Sequence, residues 1–105
     1  MAVDTERDCS GYYVWFDTEF TSLDMERARL LQAAMVVTDR QLRRVAAPDR
    51  DLNLFFRLAE DAPCDPWVEE HLQPLLTRCR DGRDVVSVEE GDALLAARLD
   101  DLLHV

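Results

Sequence analysis

Tyr12-Tyr13-Val14-Trp15-Phe16-Asp17-Thr18-Glu19-Phe20-Thr21-Ser22-Leu23-Asp24 is the stretch that decides how this chain is read. Its first five residues are aromatic or β-branched, the composition of a buried strand. Two acids at alternate positions follow directly. Residues two apart on a strand face the same way, so Asp17 and Glu19 present their carboxylates together, with Cα atoms about 6.5 Å apart. Like charges held that close repel, and a cation between them removes the conflict. Oxygen donors select Mg²⁺ or Mn²⁺ over zinc. Two such ions roughly 3.5–4 Å apart can activate a water and stabilise a leaving oxygen in phosphodiester cleavage. Asp-x-Glu taken alone also fits two ordinary surface acids.

Working outward, Thr21–Arg27 is polar and turn-like, and Arg29–Thr38 supplies a second apolar strand. Asp39-Arg40-Gln41 suits a hairpin turn. Leu42–Ala47 starts a third strand, Pro48–Asp51 interrupts it, and Leu52–Phe56 resumes it. The expectation is a three-stranded antiparallel meander. The period then changes. Asp65-Pro66 has the chemistry of a helix start, with Asp as cap and Pro at the first helical position. Trp67, Val68, His71, Leu72, Leu75, Leu76 and Cys79 recur at three- and four-residue steps and form one apolar face. Pro74 kinks or splits this helix, and Asp81-Gly82 ends it. Ser87 and Glu90 form a capping box ahead of a last helix with Leu95, Leu99, Leu102 and Leu103 on one side. The fold class is α+β, with residues 1–11 a loose tail and 12–105 a single unit.

Composition narrows the function. The chain has 105 residues, 22 acidic against 12 basic, for a formal net charge of −10. That balance disfavours broad electrostatic binding of long duplexes. It is compatible with short oligonucleotides if cations bridge carboxylates and phosphates. Every basic residue is arginine, and Arg27, Arg29, Arg40, Arg43, Arg44 and Arg50 cluster within 27–50. They are either a solvated hairpin surface or a local phosphate-attracting patch. Cys9, Cys64 and Cys79 are odd in number and include no Cys-x-x-Cys pair, so free thiols in a reducing compartment are expected. With no signal-peptide layout and no apolar run of membrane-spanning length, the expected location is cytoplasmic.

The run Trp15–Asp24 resembles the first motif of DEDD-type 3′→5′ exonucleases. The run that follows, Glu26–Asp39, resembles the oligoribonuclease group in particular, with its second strand ending Val37-Thr38-Asp39. Asp65-Pro66-Trp67 with His71 is similar to that group's Trp-plus-His helix. The resemblance spans roughly residues 12–103 and is specific at 13–39. It implies an RNase H-like fold and removal of nucleotides from the 3′ end of short single-stranded oligonucleotides, RNA more than DNA. Asp17 and Glu19 would be the catalytic metal ligands of a two-ion Mg²⁺ or Mn²⁺ site. Thr21 and Leu23 would line the terminal-nucleotide pocket, and Trp67 and His71 would shape the short-substrate site. Each of these four also has a structural reading: turn hydroxyl, core leucine, core aromatic and satisfied core histidine.

Ser22 stands where the group usually has Gly, and Gln32 where it usually has Glu. The Asp of the second motif, on a fourth strand, and the His and Asp of the third have no counterpart here. The chain is therefore expected to be the N-terminal portion of such a domain, inactive alone. Its first strand would have an exposed edge open to a second copy or a complementing chain. The alternative expectation is a non-catalytic nucleic-acid- or protein-binding remnant.

Overall fold

The computed structural model describes residues 11–103. Cys9 and nearly all of the expected tail lie outside that span. Strand β1 runs Tyr12–Phe20, β2 Leu30–Asp39 and β3 Leu52–Phe55, in sheet order β1-β2-β3, with both pairings antiparallel. β1 is longer than its apolar run suggested. Asp17 and Glu19 lie within the strand, because Asp17 pairs with Ala34 and Glu19 with Gln32 before a bulge breaks the register at Glu19/Phe20.

The third strand is shorter than expected. Over 42–47 only Arg44 bridges to β2, at Thr38. Leu42 takes a positive φ of 66°, and Pro48–Arg50 coils into a 3₁₀ turn. Asp39 controls this hairpin. Its carboxylate accepts the Gln41 and Arg43 N–H groups and pairs with the Arg43 guanidinium.

Helix α1 spans Pro66–His71, α2 Gln73–Asp81 and α3 Val88–Leu103. Pro74 splits α1 from α2 at Leu72, since its ring can neither donate nor tolerate the preceding helical carbonyl. Gly82 closes α2 at φ 76°, a left-handed conformation that glycine adopts without strain. The capping box forms as expected: Ser87 N–H donates to Glu90 and Glu90 N–H donates to Ser87 Oγ.

Directly opposed residues in an antiparallel pair share a face. Val14, Phe16 and Thr18 therefore lie on the face of Leu31, Ala33, Met35 and Val37. The helices cover this face only over β2 and β3. Leu31, Leu58, Val68, Leu76 and Cys79 form the core, and the Cys79 thiol donates to the Leu31 carbonyl. α3 meets the sheet at Gly91, where a Cβ would stand 2.5 Å from the Phe56 ring. Beyond that contact its leucines are only half-buried, apart from Leu94, which is exposed. No helix among the described residues is long and apolar enough to cross a membrane.

Candidate functional site

The opposite face of the sheet carries Tyr13, Trp15, Asp17 and Glu19 on β1 and Gln32, Ala34 and Val36 on β2. No helix covers it along β1. Trp15 lies across it with its indole N–H donating to Thr38 Oγ1 at 2.9 Å, and its ring meets Tyr13 edge-on. The acid pair thus sits in the wide strand geometry expected, facing the same way. Gln32 stands directly opposite Glu19, and its amide donates to Asn53 Oδ1 at 2.7 Å.

Where β1 ends, its bulge feeds a compact loop. Thr21 is fully buried. Its N–H donates to the Arg29 carbonyl, and its hydroxyl accepts the Arg29 N–H at 2.9 Å. Asp24 then turns the chain by accepting the Arg27 and Ala28 N–H groups on its carbonyl and the Glu26 N–H on its carboxylate. This closure pushes Leu23 outward until it is 95% exposed.

Asp65 ties loop to helix. Its N–H donates to the Thr21 carbonyl, its carboxylate accepts the Leu23 N–H, and its carbonyl accepts the Glu69 N–H. The sequence reads Asp65 as a side-chain cap of α1. In the structure it makes no such bond, because the carboxylate is turned toward the loop.

Between loop and helix lies a cleft of about 490 Å³, lined by Glu19, Phe20, Leu23, Met25, Asp65 and Trp67 among others. Its walls are mainly apolar, with Glu19 and Asp65 the acidic residues among them, a lining typical of small-ligand clefts. Trp67 is 59% exposed and stacks on His71 with ring centroids 4.3 Å apart and planes 14° apart. A ring nitrogen of His71 lies 2.9 Å from the Trp67 carbonyl. Both rings therefore stand outside the core, contrary to their place on the apolar repeat. Val68, Leu76 and Cys79 take the buried stripe instead.

Of the six candidate residues, Glu19, Leu23 and Trp67 line the cleft. Asp17 sits one strand period behind Glu19, Thr21 buttresses the loop from beneath, and His71 supports Trp67 without lining the cleft. Phe20, Met25 and Asp65 were not anticipated as lining residues; strand alternation pointed to Glu19, and the resemblance to Leu23 and Trp67. The arginine group serves mostly as hairpin surface. Arg29 donates to its own loop carbonyls, Arg43 pairs with Asp39, Arg44 with Asp51 and Arg50 with Asp101.

Two carboxylates suit one Mg²⁺, which commonly takes one or two protein carboxylates and completes its shell with water and substrate phosphate. Among the described residues no cluster of three or more His, Cys, Asp or Glu side chains forms a fuller metal site. Among the described residues, burial pushes both Cys64 and Cys79 above the ordinary cysteine value, away from the thiolate. No family of known proteins and no curated protein matches the chain.

Proposed function

We propose that this chain holds the 3′ end of a short single-stranded oligonucleotide, RNA in preference to DNA, as the first-motif portion of an oligoribonuclease-like 3′→5′ exonuclease domain. In this reading the terminal base enters the cleft between Leu23 and Trp67. Asp17 and Glu19 are the residues that would hold Mg²⁺ or Mn²⁺. Such an ion, when bound, polarises a phosphate oxygen and acidifies a coordinated water.

One observation carries the reading. Glu19 of the acid pair, an almost fully exposed leucine and an exposed tryptophan converge on one apolar cleft, although they come from three separate segments. An apolar slot beside carboxylates suits a ligand with a flat apolar ring at one end and an anion that needs a cation at the other. A nucleotide has both, and base–aromatic stacking is worth about 1–3 kcal/mol per base. Gln32 is a departure with a defined place: a glutamate there would face Glu19 directly and add a third carboxylate.

The described residues place no histidine beside the acid pair to take a proton from an attacking water. Binding without turnover is therefore the expected behaviour of these residues alone. The test is fluorescence anisotropy with a 5′-labelled short oligoribonucleotide, with Mn²⁺ and with chelator. Binding should require the metal, fall about 10- to 100-fold in Trp67→Ala, and lose its metal dependence in Asp17→Ala. Gln32→Glu should lower the Mn²⁺ concentration needed. Equal binding by wild type and Trp67→Ala, or binding indifferent to metal, would sink the reading.

A further inference from the structure

We propose that Asp65 selects the terminal base by its edge, favouring a ring that carries an amino group there, adenine or cytosine, over one that presents a carbonyl, uracil. This rests on the cleft being the base site proposed above. It adds a residue that distinguishes one base from another.

A ring held flat between Leu23 and Trp67 has its faces against apolar side chains, which every base satisfies alike. Its identity can be read only at its edge. The polar side chains that line the cleft are Thr18, Glu19, Ser22 and Asp65. The hydroxyls of Thr18 and Ser22 can donate or accept, so they discriminate little. Glu19 belongs to the ion. Asp65 remains, and a carboxylate only accepts.

Asp65 is half-buried and lies two residues before Trp67, so its own chain leads into one wall of the cleft. Its carboxylate accepts the Leu23 N–H and so lies beside the backbone of the other wall. That bond is 3.4 Å long, beyond the range of about 2.7–3.2 Å for a good N–H···O bond. A carboxylate has about four acceptor positions. Among the described residues this one long bond is what it receives. The backbone around it is fixed, because the Asp65 N–H donates to the Thr21 carbonyl at 2.9 Å and its carbonyl accepts the Glu69 N–H at 3.0 Å. Turning the carboxylate away from the cleft would give up the Leu23 contact.

In the open cleft, solvent meets the unused capacity of this group. A ring that fills the cleft displaces that solvent. An acceptor left without a partner costs its full desolvation, and a charged one costs most. An amino group on the ring restores a donor. A carbonyl in the same place sets one oxygen against another. Aspartate and glutamate accept from the cytosine amino group in the same way when proteins read base edges directly. Sites built to hydrogen-bond a ligand reject the analogue that lacks the group, because their own polar atoms are then stranded. For one partly solvated, charge-assisted bond the expected discrimination is about ten-fold.

Fluorescence anisotropy in Mn²⁺, with 5′-labelled short oligoribonucleotides alike except at the 3′ base, tests the proposal. One pair ends in adenosine or in purine riboside, which lacks only the amino group and stacks over nearly the same area. The other pair ends in cytidine or uridine. Wild type should bind the adenosine end about ten-fold more tightly than the purine riboside end, and cytidine more tightly than uridine by a similar factor. These comparisons need no variant. Asp65→Asn keeps an oxygen for the Leu23 N–H and turns an amide donor to the ring. It should abolish both preferences while circular dichroism stays native and binding still depends on Trp67. Trp67-dependent binding that ignores the terminal amino group, or a preference that survives Asp65→Asn, would overturn the role of Asp65 and leave the base site standing. Absence of binding, or binding indifferent to Trp67→Ala, would overturn the base site and the role of Asp65 with it.

Discussion

β1 and β2 pair along nearly their whole lengths and are about equally apolar, yet they are treated in opposite ways. Leu31, Ala33, Met35 and Val37 of β2 are at most 4% exposed. Phe16 and Val14, directly opposite Met35 and Val37 and on the same face, are 54% and 43% exposed. The helices stand over β2 and β3 and stop short of β1. The fold draws its stability from one half of the sheet and leaves the other half's apolar surface exposed among the described residues. A strand's hydrophobicity therefore reports how much burial it can accept, not how much its own fold supplies.

Truncation on each side of this boundary is the largest test. Leu31→Ala should cost about 2–5 kcal/mol, as for other fully buried leucines. Phe16→Ala, already half in water, should cost no more than about 1 kcal/mol in dilute monomer. Urea unfolding midpoints measure both, and similar costs would erase the distinction between the strands.

Gly91→Ala sharpens the covered side. Its methyl would collide with Phe56, which is only 2% exposed and has little room to turn away. A loss of about 1–3 kcal/mol, typical of overpacking, is expected. Thermal unfolding would check it; a neutral result would mean α3 can lift from the sheet freely.

The cap on α3 comes next, at about 1 kcal/mol for Ser87→Ala. Glu90 is held below its ordinary value of 4.5 by the Ser87 N–H, then by the Ser87 hydroxyl. Its folded value is the lower one, so its stabilisation is complete above the ordinary range and fades as pH falls through the lowered value. Acid titration of wild type beside Glu90→Gln should show the variant losing less stability over that window. Asp39, lowered chiefly by the Arg43 N–H, follows the same sign.

The smallest effect belongs to the uncovered side. Leu23→Ser should change stability by no more than about 0.5 kcal/mol, because the residue is 95% exposed. A larger loss would mean that Leu23 packs against something in solution.

Much of the framework was legible in the sequence. The aromatic run, its antiparallel partner, the Pro74 split, the Gly82 stop and the Ser87–Glu90 box all rest on local chemistry that tertiary packing did not override. The side on which cover arrives was not legible. Periodicity marks a helix as amphipathic, but the apolar repeat around α1 is wider than the stripe the sheet accepts. Trp67 and His71 fell on the surplus and face outward. Asp65 misled for a related reason. A carboxylate before a helix is a good cap when it has no competitor, and here the Leu23 N–H competes. Of the site, Asp17 and Glu19 were readable from strand alternation. The cleft depends on a hydrogen-bonded contact between loop 21–29 and α1, which no local pattern encodes.

That contact has a kinetic meaning. Because one residue, Asp65, grips Thr21, Leu23 and Glu69 at once, the two walls of the cleft are parts of one body. If, as proposed, a flat ring enters between Leu23 and Trp67, it meets walls already joined by these bonds. Capture should then proceed at the rate of an ordinary oriented encounter, about 10⁵–10⁷ M⁻¹s⁻¹. Differences in affinity among ligands should be written almost wholly in how long each one stays.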